Sequence, residues 1–207
     1  MNDGTIVGLV GYECEDFTVY LAKILNYLSV KTIISDKTPG GSVFGILGIK
    51  PLGNGTAFYG TVPVCSRSPE EMKGFDVVLM CFGEGISNAE IGKCNKVVMF
   101  SDATAYRAEN LEKVSKLGGG RKLFIRDYVP MKYGKRFISA VSGTSSAAVS
   151  LIYADERDIR AKCYLGTEKN VKLAGLSETM KNALKEVALD FFPALENRLV
   201  AEAIKKG

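Results

Sequence analysis

TIVGLVGYECEDFTVYLAKILNYLSVKTIISD, residues 5–36, is the stretch whose reading decides the fold of this chain. Ile6 to Val10 is a short apolar run bounded by glycines, the pattern of a strand buried on both faces of a parallel sheet. Val19 to Leu28 is apolar on almost every side, as a helix held between a sheet and another element is. Ile33 and Ile34 make a second buried strand that ends at Ser35-Asp36. This βαβ opening places the loop Gly11 to Thr18 where α/β proteins of the same plan cradle a phosphate. Its composition opposes that task. Backbone N–H groups approach an anion through glycines, and a lysine offsets its charge. Gly11-Tyr-Glu-Cys-Glu-Asp-Phe-Thr18 holds three carboxylates, one glycine and no lysine.

Outward from this stretch, strand and helix patterns alternate. Lys-Thr-Pro-Gly-Gly (residues 37–41) marks a loop, and 42–49 is an apolar run that suits either a helix or a strand. Gly53-Asn-Gly55 reads as the turn of a hairpin ending near Thr61 to Val64, and Ser68-Pro-Glu-Glu as a short helix start. Phe75 to Cys81 and Lys96 to Phe100 read as central strands. Gly83-Glu-Gly85 follows the first, and Ser101 to Thr104 offers capping oxygens to a helix carrying Leu111, Val114 and Leu117. Gly118 to Gly120 stops that helix, and Leu123 to Ile125 is a further strand. Residues 132–148 suggest a helix ending near Ser142. Ser142 to Ser146 reads as a plain loop, because a nucleophilic serine needs an activating base that the sequence does not supply. Val149 to Tyr153 is a last strand, followed by a polar connection at Asp155 to Arg160. Ser177 caps a helix with Met180, Leu184, Val187 and Phe191 on one side, and Ala194 to Lys206 forms a closing amphipathic helix. The expected fold is α/β: a doubly wound, mostly parallel sheet flanked by helices, in one domain over 1–207 with a C-terminal helical segment at about 177–207.

Composition narrows the chemistry. The 207 residues carry a net charge of +4 with no block of like charges, which gives no argument for nucleic acid. Histidine is absent, removing the usual general base, Ser-His and Cys-His pairs and histidine metal ligation. Five scattered cysteines without a C-x-x-C pair suit reduced thiols and not a disulfide framework or zinc site. With a polar N-terminus and no apolar run of about 18–20 residues, the expected location is cytoplasmic.

The order of elements and several local phrases resemble the ParA/MinD branch of P-loop NTPases (the SIMIBI class with a deviant Walker A motif) and, more loosely, TadZ-type pilus-positioning relatives. The resemblance runs over residues 4–193. The family's first loop reads K-G-G-x-G-K-[ST]. Laid on residues 12–18 it keeps only Thr18, the position that meets Mg²⁺, with Tyr12 and Phe17 in place of the two lysines and Glu13, Cys14 and Asp16 in place of glycines. Glu15 adds a further carboxylate. After the second strand the family has D-x-D-P, and this chain has Asp36-Lys-Thr38-Pro39. The Walker B-type aspartate falls at about Cys81, before Phe82-Gly83, so that a soft thiol replaces a hard oxygen ligand. Arg126-Asp127 follows a strand where the family often has an adenine-reading Asn. Asp102-Ala-Thr104 and Tyr153 to Glu156 resemble late phrases of the family that carry no chemistry.

Two unit charges about 4 Å apart interact by about 4 kcal/mol at an effective dielectric of about 20. Exchanging a lysine for a carboxylate beside a triphosphate therefore changes affinity on the order of a thousandfold or more, and a helix dipole worth about 0.3–1 kcal/mol does not compensate. The resemblance with these departures implies a catalytically inactive ParA/MinD-like protein, a positioning, scaffolding or regulatory module without cofactors. Its implied partner is a protein: a second copy of itself or an active relative. The alternative is an active nucleotide-binding switch with an atypical loop, using ATP and Mg²⁺, or a divalent cation held by Glu13, Glu15 and Asp16 with Thr18 and Asp36. A further alternative is an adaptor touching a membrane through Leu195, Leu199, Val200 and Ile204 of the C-terminal helix, or DNA through Lys132, Lys135 and Arg136.

Overall fold

The computed structural model describes residues 4–84, 88–103, 120–130, 148–168 and 170–207. Among these, eight strands form one sheet: β1 (Thr5–Gly11), β2 (Thr32–Asp36), β3 (Thr56–Tyr59), β4 (Val62–Cys65), β5 (Val77–Gly83), β6 (Lys96–Ser101), β7 (Gly120–Tyr128) and β8 (Ala148–Tyr153). Their order is β3-β4-β2-β5-β1-β6-β7-β8, and every pairing is parallel except β3 with β4. The helices are α1 (Cys14–Tyr27), α2 (Ser42–Leu47), α3 (Asn88–Ile91), α4 (Glu156–Leu165), α5 (Glu178–Phe191) and α6 (Asn197–Lys206).

The expected doubly wound α/β sheet is present. Continuous apolar strands produce it: Val7, Leu9, Leu79, Val98 and Phe124 belong to the core under α1 and α5, while Met80, Phe82, Val97, Met99 and Leu123 fill a second cluster on the other face. Because β1 is flanked by β5 and β6, its carboxyl end opens into the middle of the sheet, where proteins of this topology place their ligands. Gly11 makes this close packing feasible. Its φ is 106°, and a Cβ there would stand 2.0 Å from the carbonyl oxygen of Phe100.

Several expectations are corrected. The helix after β1 starts at Cys14, five residues before Val19, so Cys14 to Thr18 are its first turn and the loop shrinks to Tyr12-Glu13. Glu15 and Asp16 favour that early start, since carboxylates suit a helix N-terminus. The apolar run at 42–49, open between helix and strand, holds helix α2 over Ser42–Leu47. The hairpin turns at Gly60-Thr61; Gly53 to Gly55 forms a separate turn before β3, closed by the Gly55 N–H on the Leu52 carbonyl. Ser68 starts a single 3₁₀ turn with a capping box, as read. Asp155 to Arg160 is not a connection but the start of α4, because Asp155 accepts a hydrogen bond from the Arg157 N–H as N-cap. Ser177 caps α5 through the Met180 N–H at 3.1 Å. The helix expected after Asp102, the glycines Gly85, Gly118 and Gly119, and the segment containing Lys132 to Ser146 lie outside the described residues.

In α6, Val200, Ala203 and Ile204 are buried against the domain, and Leu195 packs at the edge of the same core. Leu199, expected on that apolar side, is instead partly exposed at 37%. The closing helix therefore turns its apolar stripe inward.

Candidate functional site

The carboxyl ends of β1, β2, β5 and β7 converge around Tyr12-Glu13. Glu13 adopts a left-handed conformation (φ 48°, ψ 44°) immediately before α1, which sends the chain sharply back over the sheet. Its carbonyl accepts a hydrogen bond from Arg126 Nη1. The same guanidinium grips Asp16 in two parallel bonds, Nη1 to Oδ1 at 2.6 Å and Nη2 to Oδ2 at 2.9 Å. Both side chains are buried, at 3% and 1% exposure. Burial opposes the charge on Arg126, but the adjacent Asp16 carboxylate outweighs it and holds the guanidinium pKa above its ordinary value.

The other acidic groups diverge. Glu13 Oε1 meets Lys162 of α4 at 2.8 Å. Glu15 turns the opposite way, towards β5, where a Cβ on Gly83 would lie 3.3 Å from both Glu15 Oε1 and Thr38 Cγ2. Burial pushes the Glu15 carboxyl above its ordinary range, although its own backbone N–H partly offsets this. Asp16 Oδ1 also accepts the Phe17 N–H at 2.7 Å. The first turn of α1 thus offers N–H donors to its own carboxylates. Among the described residues no group of three or more acidic or thiol ligands is arranged to hold a metal ion.

The remaining loop positions are built into the protein interior. Phe17 is fully buried, with ring centroids 4.9 Å from Phe100 and 5.9 Å from Phe124. Thr18 is also fully buried, and its hydroxyl donates to the Cys14 carbonyl at 2.7 Å, back along its own helix. Asp36 Oδ1 accepts the Thr38 N–H at 3.0 Å and hydroxyl at 2.6 Å, Oδ2 accepts the Phe44 N–H at 3.1 Å, and Thr38 Oγ1 accepts the Ser42 N–H at 2.5 Å. Asp36 and Thr38 together organise the start of α2. Cys81 lies against Cys14, Sγ to Sγ 3.6 Å, with both thiols inaccessible. Burial first, and then Cys81, raise the Cys14 thiol above its ordinary value.

Beside this cluster lies a cavity of about 500 Å³ between the loop, the end of β7 and α4. Four carboxylates (Glu13, Asp16, Asp127, Asp158) and two cations (Arg126, Lys162) line it, with Ile46 and Ile159 supplying apolar wall. Asp127 takes a left-handed φ of 51° near the end of β7, where the register with β8 shifts between Ile125 and Tyr128. Asp158 accepts the Ser177 N–H at 2.7 Å and hydroxyl at 2.6 Å, and burial raises its carboxyl above the usual range.

The residues singled out from sequence do come together: Gly11 to Thr18, Asp36, Thr38, Cys81 and Gly83 surround one end of the sheet. What sequence reasoning missed is the cations. Arg126-Asp127, expected after a strand at the place of an adenine-reading Asn, lies within β7, and Lys162 carries no motif of its own; the loop is acidic without being bare of positive charge. The capping pattern Asp155-x-Arg157 could have located α4 and with it Lys162. Lys93 pairs with Glu70 at 2.6 Å, near the amino end of β1. The Thr18 hydroxyl is turned into its helix, Phe17 is buried in the core, and the Arg126 guanidinium is already paired with a carboxylate.

No protein-family model and no curated protein matches the chain. Solved structures do. A ParA family ATPase from Chlorobium tepidum TLS aligns with a TM-score of 0.66 and 13% identity over 91% of this chain and 99% of that one. A variant of Cyanothece McdA in complex with ATP aligns at 0.62 and 11% identity, over 99% and 98% of the two chains. A putative plasmid partition protein from Borrelia burgdorferi B31 bound to AMPPNP aligns at 0.59 and 10%, over 97% and 98%. The chain has the fold of ParA-type P-loop NTPases across nearly its whole length.

Proposed function

We propose that this chain is a ParA/MinD-like protein whose nucleotide loop has become an internally satisfied structural element, and that it serves as a positioning, scaffolding or regulatory module through a protein partner. The observation that carries this reading is the buried Arg126–Asp16 pair. A phosphate entering the loop must displace a carboxylate already held in two bonds at 2.6 and 2.9 Å, and it must do so beside Glu13 and Glu15. Positioning draws support from the company of the fold, which includes an ATPase of the ParA family and a putative plasmid partition protein. The partner is a second copy of the chain or an active relative with the same fold. Calorimetric titration with MgATP, paired with a phosphate-release assay, tests the proposal: neither heat nor phosphate is expected. Micromolar binding with turnover overturns it.

A second reading, a nucleotide-binding switch with an atypical loop, draws support from one feature. Arg126 and Lys162 bring two cations to the cavity beside the loop. On that reading the same titration gives saturable heat that Lys162→Ala abolishes. The membrane-adaptor reading loses much of its support, since α6 buries Val200 and Ile204 and leaves only Leu199 of its large apolar side chains exposed. No helix among the described residues is long and apolar enough to cross a membrane.

A further inference from the structure

We propose that Cys14 and Cys81 are a modification site, a buried dithiol that peroxide converts into a reversible disulfide linking the first turn of α1 to the end of β5. The two residues are 67 positions apart in sequence, yet their sulfurs are in contact at 3.6 Å. The fold brings them together in two steps. Leu9 pairs with Cys81 in the β1–β5 register, and the reversal at Tyr12-Glu13 returns the chain so that Cys14 lies back over that pair. The other described thiols have different neighbours: Cys65 faces the Met72 sulfur at 3.8 Å, Cys94 the Glu90 carbonyl at 3.8 Å, and Cys163 is exposed.

Closing the pair needs the sulfurs to approach from 3.6 Å to about 2.05 Å. The backbone on each side is irregular enough to yield. Glu13 before Cys14 is left-handed, the β1–β5 register shifts between Leu9 and Val10, opposite Cys81 to Gly83, and Gly83 is left-handed at φ 57°. Both thiols are shut off from solvent, so peroxide, little larger than water, reaches them through local opening of the first turn of α1. One thiolate attacks a peroxide oxygen, the O–O bond breaks, and hydroxide leaves as water with that thiol's proton. The second sulfur then attacks the sulfenic sulfur; the S–O bond breaks, and a second water carries away the second proton. Two thiols are oxidised and one peroxide is reduced to two waters. Because burial disfavours the Cys14 thiolate, the reaction is slow at neutral pH and accelerates about tenfold per pH unit below the thiol pKa. This site is independent of whether the loop binds nucleotide.

The experiment uses the full chain carrying Cys163→Ser, treated folded with peroxide, quenched, alkylated after unfolding and mapped by mass spectrometry. Expected is a Cys14–Cys81 cross-linked peptide, lighter by two hydrogens, which dithiothreitol reverses and which forms faster at higher pH. Cys14→Ser and Cys81→Ser each abolish it, with the alanine variants as replacements where a serine impairs folding. Full alkylation of both thiols after treatment, their separate oxidation to sulfinic acids, or pairing of either with another cysteine overturns the proposal.

Discussion

Arg126 and Asp16 stand 110 positions apart and meet in a two-pronged ion pair, 2.6 and 2.9 Å, with both side chains excluded from solvent. Such a pair is costly to break on one side, because the survivor stays buried and uncompensated. Arg126→Met should lower stability by about 3–5 kcal/mol in urea unfolding. Arg126→Met combined with Asp16→Leu should recover most of that loss, since the charge is then gone from both sides. Arg126→Lys should not rescue, because an ammonium lacks the planar fork that serves both carboxylate oxygens and the Glu13 carbonyl.

On the proposed reading Phe17 stands where ParA-type loops carry a lysine, so Phe17→Lys is the obvious attempt to introduce nucleotide binding. The ring lies fully buried between Phe100 and Phe124. The substitution should cost at least the roughly 3–5 kcal/mol of a buried Phe→Ala change, with an ammonium desolvated besides. Thermal unfolding should show a large drop in Tm, and titration with MgATP no gain in affinity.

Glu15 supplies a pH dependence of definite sign. Its folded carboxyl is raised from the ordinary value of 4.5, chiefly by burial. Between that value and the folded one the native chain keeps a proton that the unfolded chain releases. The associated stability is complete below the ordinary value and is lost as pH rises through the folded one. Glu15→Gln should therefore raise Tm at pH 7 by a few degrees and flatten the profile between mildly acidic and neutral pH, leaving the share due to Asp158. Equal Tm values for the variant and the parent across that range would contradict the assignment.

The inward-facing stripe of α6 predicts a stability phenotype and no membrane phenotype. Val200→Asp places an unpaired charge among Ala203, Ile204 and the surface of α5, and should cost about 3 kcal/mol or more. The unmodified chain should remain in the supernatant on co-sedimentation with anionic vesicles. Co-sedimentation lost on deleting residues 197–207, with Tm unchanged, would reverse this reading.

Element order was largely legible because it rests on local signals. The apolar runs of β1, β2, β5 and β6, the Ser68 turn and the Ser177 cap depend on residues within a few positions of one another. The failures came where two local readings competed. A first turn rich in carboxylates reads as a loop, the turn signal at Gly53 to Gly55 competes with the hairpin that closes at Gly60-Thr61, and the polar face of α4 reads as a connection. The candidate site was legible as a set of positions and illegible as a set of partners.

By itself, then, the sequence determined a parallel α/β sheet with an acidic loop at the end of its central strand, because hydrophobic period and composition are properties of neighbours along the chain. Only the tertiary structure decided that Arg126 neutralises Asp16, that Lys162 meets Glu13, that Phe17 belongs to an aromatic core and that Cys14 touches Cys81. Those pairings depend on strand order and register, which bring distant residues within bonding range and which no single stretch of sequence encodes.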